Sequence, residues 1–172
     1  MKITPTTVID TRPARPEDLP LVLAILGEAA AWLRAKGMAP WPALPDAEQA
    51  RRMAAAIARG EVYTIGIVKN RFGVVRLTWA DAAWPDAAWP DDGLAAYVHD
   101  MALRAEMHGQ NLGAGMLFWA ALQARQRGRP FVRLCCLAEN GRLRRYFEAQ
   151  GFGCRGEVVG QAGTLALYEK AV

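Results

Sequence analysis

YVHDMALRAEMHGQNLGAGMLFWAALQA, the stretch from Tyr97 to Ala124, decides the fold of this chain. Its first part, residues 97–103, is mostly apolar and predicts a β-strand. Residues 104–115 contain three glycines and predict a loop, and the apolar residues after them predict a helix. A loop that enters a helix presents backbone N–H groups and about half a positive charge, and it therefore favours an anion such as phosphate. An ordinary tight turn before a helix has the same composition, so the rest of the chain has to decide between the two.

The composition predicts one globular domain, residues 1–172, that is long enough to bury a core. No apolar run approaches the roughly 20 residues that span a bilayer, and residues 1–5 lack the apolar core of a secretory signal. The net charge of +4 comes mostly from scattered arginines, which suit an anionic cofactor as well as nucleic acid. We therefore expect a cytoplasmic protein with no membrane partner and no nucleic-acid partner.

The cysteines predict neither a disulfide framework nor a metal site. Cys135, Cys136 and Cys154 are odd in number and lack metal-ligand spacing. We interpret all three as reduced thiols of a cytosolic protein. Since neither Cys135 nor Cys136 has a base next to it in the sequence, we expect small core residues there and not a nucleophile.

The chain before residue 61 predicts one strand and two helices. A β-branched strand at residues 7–11 is followed by a helix with apolar residues at helical spacing, which ends at Gly37. The second helix opens at Asp46, with Gln49 three residues later as in a capping box, and ends at Gly60.

The remaining segments complete a mixed architecture. In chain order they are a hairpin of residues 61–69 and 73–80 around residues 70–72, the central strand, loop and helix, a strand at 131–137, a short helix from Asn140 to a left-handed cap at Gly151, and a hairpin of residues 153–159 and 164–170. This order predicts an α/β fold of the mixed α+β type, a mixed sheet with helices on both faces.

A tandem pentapeptide interrupts the pattern before the central strand. Residues 81–85 read Asp-Ala-Ala-Trp-Pro, and residues 86–90 repeat them. Two copies do not make a solenoid. The repeat is either a local duplication in a surface loop or a tryptophan-bearing rim of a substrate pocket.

These motifs in this order resemble the GNAT family of N-acetyltransferases over nearly the whole chain. That family has a strand, then Arg/Gln-Gly-x-Gly-x-Gly and a helix, and later an Asn, a Tyr seven residues on, and Gly-Phe. Here residues 108–113 read His-Gly-Gln-Asn-Leu-Gly, and in an alternative register residues 110–115 read Gln-Asn-Leu-Gly-Ala-Gly. The later motif is Asn140, Phe147 and Gly151-Phe152, so that Phe stands in place of the family's Tyr.

Three further segments resemble a common bacterial subgroup of the family. They are residues 12–14 before the first helix, residues 32–33 at its end, and residues 37–41. In that subgroup the strand after the central helix reads Arg-Leu-Asp-Cys, and here it reads Arg133-Leu134-Cys135-Cys136.

The resemblance implies the fold, the cofactor and the reaction. The fold would be a central mixed, mostly antiparallel, splayed sheet flanked by helices on both faces. The reaction would transfer an acetyl group from acetyl-CoA to an amine of a small molecule or a peptide by direct attack, and a homodimer is a further expectation.

The resemblance also implies which residues hold the cofactor. The backbone near the end of the central strand would pair with the pantetheine arm, the loop amides would hold the pyrophosphate, and two later residues would lie beside the arm. In that order these residues are Met101, Ala102 and Leu103; His108, Gly109, Gln110, Asn111, Leu112, Gly113 and Ala114; and Asn140 and Phe147.

Proton transfer poses a separate problem. An amine with a reference pKa near 10.4 must lose a proton before it attacks, and the departing thiolate benefits from a proton donor. The family's donor position is Phe147, which cannot donate and which we expect to pack against Phe152. Tyr146 is the neighbouring candidate acid, although it is rotated by about 100° on the helix. His99 and Asp100 are the candidate bases, and a regular strand would point them to opposite faces.

The acceptor pocket and the rival functions remain open at this point. Trp41, Trp84 and Trp89 stand in the two loops that build this pocket in the family, and nearby carboxylates would suit a cationic acceptor. The alternative function is a degenerate acyl-CoA-binding or sensor protein of the same fold with little turnover, which the replacements at Phe147 and Asn111 motivate. A nucleic-acid or protein-binding module is a third alternative.

Overall fold

A computed structural model describes residues 9–38, 46–67, 70–80, 89, 92–160 and 163–172. In these residues the chain forms seven strands, four α-helices and two short 3₁₀ helices. The strands are β1 Asp10–Pro13, β2 Val62–Ile67, β3 Asn70–Thr78, β4 Ala95–Leu103, β5 Phe131–Leu137, β6 Gly153–Gly160 and β7 Gly163–Ala171. The helices are α1 Leu19–Ala35, α2 Ala47–Ala58, α3 Leu112–Gln126 and α4 Gly141–Ala149, and the 3₁₀ helices are Pro16–Asp18 and Ala105–Met107.

The strands form one sheet in the order β1-β2-β3-β4-β5-β7-β6. Strands β4 and β5 are parallel, whereas β1–β2, β2–β3, β5–β7 and β6–β7 pair in antiparallel fashion. The parallel register runs from Ala95 opposite Phe131 to Tyr97 opposite Arg133, although both strands continue beyond these residues. The mixed, mostly antiparallel α/β fold is therefore confirmed.

The chain divides into two compact units, residues 1–76 with 100–113 and residues 77–99 with 114–172. In the first unit, α1 and α2 bury one apolar face each in a common core with Val62 and Val74. Full burial of such a side chain contributes about 1.5–3 kcal/mol. Helix α2 begins where Asp46 accepts a hydrogen bond of 2.7 Å from the Gln49 amide, as the capping pattern predicts.

The second unit contains an aromatic core beneath α4. The Asn140 side chain caps α4 by accepting a hydrogen bond of 3.0 Å from the Leu143 amide. The helix ends at Gly151, whose φ of +84° is the left-handed cap predicted from the sequence. Phe152 then packs on Phe147, with 6.1 Å between the ring centroids, and its amide donates to the Phe147 carbonyl at 3.1 Å.

The first hairpin was predicted in the wrong place. Asn70, Arg71 and Phe72 were predicted to form its turn, but all three belong to β3, and the connection lies at residues 68–69, outside the described part. Tertiary contacts override local turn propensity here, because Phe72 is fully buried and the Arg71 guanidinium pairs with Asp10 at 2.6 Å. The first strand likewise begins at Asp10 in the described chain, and β4 begins two residues before Tyr97.

Candidate functional site

The loop between β4 and α3 has a backbone that is open to a ligand. Gly109 has a φ of +77°, and no heavy atom lies within 4 Å of the position that a Cβ would occupy there. Asn111 also has a positive φ, +58°, just before α3 begins at Leu112. The first turn of α3 carries no acidic residue that would repel an anion. The predicted loop of residues 104–115 was too long, because residues 105–107 form a 3₁₀ helix and α3 already begins at Leu112, so that Gly113 and Gly115 are helical. The remaining turn, with left-handed Gly109 and Asn111, leads into a helix N-terminus, a geometry that can bind phosphate.

His108 connects this loop to α1. Its Nε2 lies 3.2 Å from the Leu103 carbonyl oxygen, and because a carbonyl only accepts, Nε2 must carry the proton. The imidazole meets the edge of Trp32 with 4.8 Å between the ring centroids. A second contact joins the same two elements, since Arg104 pairs with Glu28 of α1. Sequence reasoning predicted the loop but not these contacts with α1.

Asp100 of β4 forms an ion pair with Arg76 of β3. Its Oδ2 is 2.7 Å from Arg76 Nε, and the two side chains are only 7% and 10% exposed. Its backbone is left-handed, with a φ of +48°. The expectation that His99 and Asp100 point to opposite faces assumed a regular strand, and a left-handed residue interrupts that alternation.

His99 is buried and bonded to a hydroxyl. Its Nε2 lies 2.9 Å from Thr78 Oγ1, and the same hydroxyl donates to the Ala80 carbonyl oxygen at 3.0 Å. A hydroxyl has a single hydrogen, and Thr78 gives it to Ala80, so in the bond with His99 the threonine oxygen accepts. His99 therefore carries its proton on Nε2, and in the neutral imidazole the lone pair is on Nδ1. Thr78 was missed from the sequence, because a threonine in an apolar strand looks like any β-branched strand residue.

Tyr146 and Phe147 lie side by side in the second unit. Phe147 is 5% exposed and packs against Tyr146, Phe152 and Tyr168, with centroid distances of 5.8, 6.1 and 5.8 Å. This agrees with the core-packing interpretation of Phe147, and its cofactor role stays a prediction. Tyr146 is half-buried, and burial raises the pKa of its phenol above the usual 10.0.

Of the three tryptophans predicted on the acceptor side, the structure describes Trp89. Trp41 and Trp84 lie outside the described residues. Trp89 is half-buried under the guanidinium of Arg133, 4.9 Å from the ring centroid. Both carboxylate oxygens of Asp92 accept from the same guanidinium, at 2.9 and 2.8 Å. Trp89 and Asp92 thus form an aromatic–carboxylate pair of the kind expected to attract a cationic acceptor, and the cation beside them is Arg133 of the chain itself.

Arg133 is the centre of a buried charge network. It also donates to Glu169 at 2.8 Å and to the Tyr97 hydroxyl at 3.1 Å. Burial alone would lower the pKa of Arg133, but the hydrogen bonds to Asp92, Glu169 and Tyr97 raise it overall. The hydrogen bond from Arg133 in turn lowers the pKa of the Asp92 carboxyl. Arg133 therefore ties the segment before β4 to β5 and β7.

The cysteines are free thiols, and Cys136 is 2% exposed. Burial raises the pKa of the Cys136 thiol to about 11, so it stays protonated and unreactive near neutral pH. In the described residues no group of three or more candidate ligands could hold a metal ion, and no helix there is long and apolar enough to cross a membrane.

Solved structures share this fold. A GNAT-family acetyltransferase from Listeria monocytogenes 4b F2365 has a TM-score of 0.81 and 23% identity, and the match covers 100% of both chains. The PaiA N-acetyltransferase from Thermoplasma acidophilum, solved in complex with coenzyme A, has a TM-score of 0.70 and 15% identity, and the match covers 96% of this chain and 100% of that one.

Sequence comparisons assign the family. A protein of Bacillus subtilis (strain 168), described as the uncharacterized N-acetyltransferase YesJ, is 28% identical over 162 residues, which cover 93% of this chain and 88% of that protein. The model of the acetyltransferase (GNAT) family matches residues 26–152. The chain therefore belongs to the acetyltransferase (GNAT) family.

Proposed function

We propose that this protein is a cytoplasmic N-acetyltransferase that uses acetyl-CoA to acetylate an amine of a small molecule or a peptide. Family membership supports acetyl transfer, and the relative from Thermoplasma acidophilum was solved with coenzyme A. The observation that carries the proposal is the open, left-handed loop at Gly109 and Asn111 that leads into α3. Acetyl-CoA would supply an acetyl group activated as a thioester.

The residues around the loop fit such a cofactor. A diphosphate needs several oriented N–H donors and close backbone approach, and the turn from His108 to Ala114 offers both because a Cβ at Gly109 would meet only open space. His108 adds a ring that can donate when it is protonated. We assign the pantetheine arm to the backbone of Met101, Ala102 and Leu103. Asn140, beyond its role as a helix cap, is assigned to the same arm.

We assign the role of base to His99. Asp100 is bound by Arg76, whereas the imidazole of His99 is bonded through Nε2 to the hydroxyl of Thr78. When the amine nitrogen forms its bond to the acetyl carbon, Nδ1 would accept the proton that the nitrogen loses, directly or through water. Thr78 is then a positioning residue, because it holds the imidazole in the tautomer that the reaction needs.

We assign the role of acid to Tyr146. As the carbon–sulfur bond breaks, the departing sulfur takes up a proton, and a phenol can supply it. Burial keeps Tyr146 protonated beyond the usual pKa of tyrosine, which suits a donor. A thiolate is a tolerable leaving group, so this assistance is expected to be modest.

Two measurements on the purified full chain test the proposal. Calorimetry with acetyl-CoA should show binding, and thiol release from acetyl-CoA should rise when a panel of amines is added. Binding without amine-dependent thiol release would favour the acyl-CoA sensor, which the replacement of the family's Tyr by Phe147 motivates. If neither binding nor thiol release were observed, both functions would be contradicted. A binding module that only shares the fold would then remain.

A further inference from the structure

Asp100 has an unusual backbone for a strand residue. In the described chain only two residues other than glycine have a positive φ, Asp100 at +48° and Asn111 at +58°. Side chains with a Cβ disfavour this conformation, and it persists only where the surrounding structure holds it. Asn111 lies in a loop, where such a conformation is common, but Asp100 lies within β4.

Arg76 holds the side chain of Asp100 in place. Arg76 Nε lies 2.7 Å from Asp100 Oδ2, and Arg76 Nη1 lies 3.9 Å from Glu61 Oε2. Glu61 in turn accepts two hydrogen bonds from Arg59, at 2.6 and 2.9 Å. The guanidinium that fixes Asp100 is therefore itself positioned from its other side.

The backbone that follows Asp100 is fixed again at Arg104. The Arg104 amide donates to the Phe72 carbonyl oxygen at 2.9 Å. Beside it, β3 and β4 approach so closely that a Cβ at Gly73 would lie 2.9 Å from Leu103 Cδ2. The three residues between these two points, Met101 to Leu103, are the ones assigned to the pantetheine arm.

We propose that Asp100 is a positioning residue, whose carboxylate, held by Arg76, stabilises a left-handed backbone that directs the peptide groups of residues 101–103 toward the cofactor. This inference rests on the proposed function. In it, Asp100 acts through its backbone conformation and its ion pair with Arg76. The proton of the attacking amine is accepted by His99 and not by Asp100. Arg76 becomes a positioning residue of the same kind.

Three substitutions at one position separate the backbone role from proton transfer. Asp100→Asn tolerates the left-handed region and still accepts from Arg76, Asp100→Gly tolerates it without a side chain, and Asp100→Ala disfavours it. We expect the dissociation constant of acetyl-CoA to rise about 5- to 30-fold in Asp100→Ala, as the usual penalty for a left-handed Cβ residue implies. In Asp100→Asn and Asp100→Gly it should rise by less than about fivefold, and kcat should follow the same order.

A double-mutant cycle tests the contribution of Arg76. Arg76→Gln should weaken acetyl-CoA binding about fivefold in the wild-type background and less than about twofold in Asp100→Gly, because the contact is already absent there. Asp10→Ala is the matched control. It removes the carboxylate partner of Arg71, another buried arginine of β3, and should lower the melting temperature while acetyl-CoA affinity stays unchanged.

The possible results lead to different conclusions. If Asp100→Asn lost kcat about 100-fold with unchanged acetyl-CoA affinity, Asp100 would be the base and the inference would be wrong. Equal affinities of Asp100→Ala and Asp100→Gly would also overturn it. If the wild type failed to bind acetyl-CoA, the proposed function would fall together with the inference. If it bound without turnover, only the catalytic half of the proposed function would fall, and the affinity series would still decide the role of Asp100.

Discussion

The chain has two histidines, and they have opposite surroundings. His99 is 6% exposed within β4 and donates from Nε2 to a threonine hydroxyl. His108 is exposed in the loop before α3 and donates from Nε2 to a backbone carbonyl. Both rings are therefore held in the same tautomer, but one is enclosed and the other is open to solvent.

This difference separates proton transfer from anion binding. A buried imidazole with a fixed tautomer exchanges a proton at one defined nitrogen, which suits a base. An exposed imidazole in the loop before a helix is better placed to contribute a donor to an anion when it is protonated. Substitutions at the two histidines and at Thr78 test whether the histidines have these separate roles, and a substitution at Tyr146 tests the acid that would act beside the base.

The largest effect is expected from His99→Gln. Removal of a general base typically costs about 10²–10⁴-fold in rate, so kcat should fall by that order with acetyl-CoA affinity nearly unchanged. Steady-state kinetics with the best amine of the panel, together with calorimetry, measure the two quantities. Equal losses in kcat for His99→Gln and His108→Gln would remove the distinction between the histidines.

A smaller effect is expected from Thr78→Val. The exchange keeps the shape of the side chain but removes the oxygen that accepts from His99 Nε2, and the net worth of such a bond predicts a loss in kcat of about tenfold. Thr78→Ser keeps the hydroxyl and serves as the control. If Thr78→Val and Thr78→Ser had the same kcat, the tautomer of His99 would not depend on the hydroxyl of Thr78.

Tyr146→Phe should cost less, about fivefold in kcat, since a thiolate departs without much help and the change removes one hydrogen bond of ordinary strength. Burial raises the pKa of Tyr146 above 10.0, so the phenol is fully protonated below its usual pKa and loses its proton only as the pH rises through the higher folded value. Any loss of activity due to this ionisation should therefore appear above pH 10 and should be absent from Tyr146→Phe. A decline in activity that is identical in both proteins would argue against the acid role.

The smallest effect is expected from His108→Gln, which introduces a residue that the family often has there. One hydrogen bond of ordinary strength predicts an increase of about threefold in the dissociation constant of acetyl-CoA, with kcat unchanged. Trp32→Phe is a useful companion, because it alters the ring contact of His108 without changing a residue of the loop. A fall in kcat for His108→Gln at saturating acetyl-CoA would mean that this histidine also takes part in the chemistry.

Sequence patterns predicted some of these features well, for identifiable reasons. The cap at Asn140, the left-handed Gly151 and the packing of Phe147 on Phe152 depend on residues close in sequence, so local chemistry is enough to predict them. The prediction of a turn at residues 70–72 was wrong, because the burial of Phe72 and the Arg71–Asp10 ion pair place that segment in β3. The roles assigned to the site residues stay predictions until they are measured.

The sequence by itself determined the family, the order of the elements and the glycine-dependent loop before α3. The order of the elements and the loop follow from periodicity, capping and the absence of a Cβ, all of which act over a few residues. The family follows from the resemblance of the motifs at residues 108–113 and 140–152 and from the family model that matches residues 26–152. Only the tertiary structure decided that Asp100 pairs with Arg76, that Thr78 sets the tautomer of His99, and that Arg133 lies over Trp89. Those contacts join residues that are separated in sequence, and their partners are chosen by strand pairing and burial, which no local pattern records.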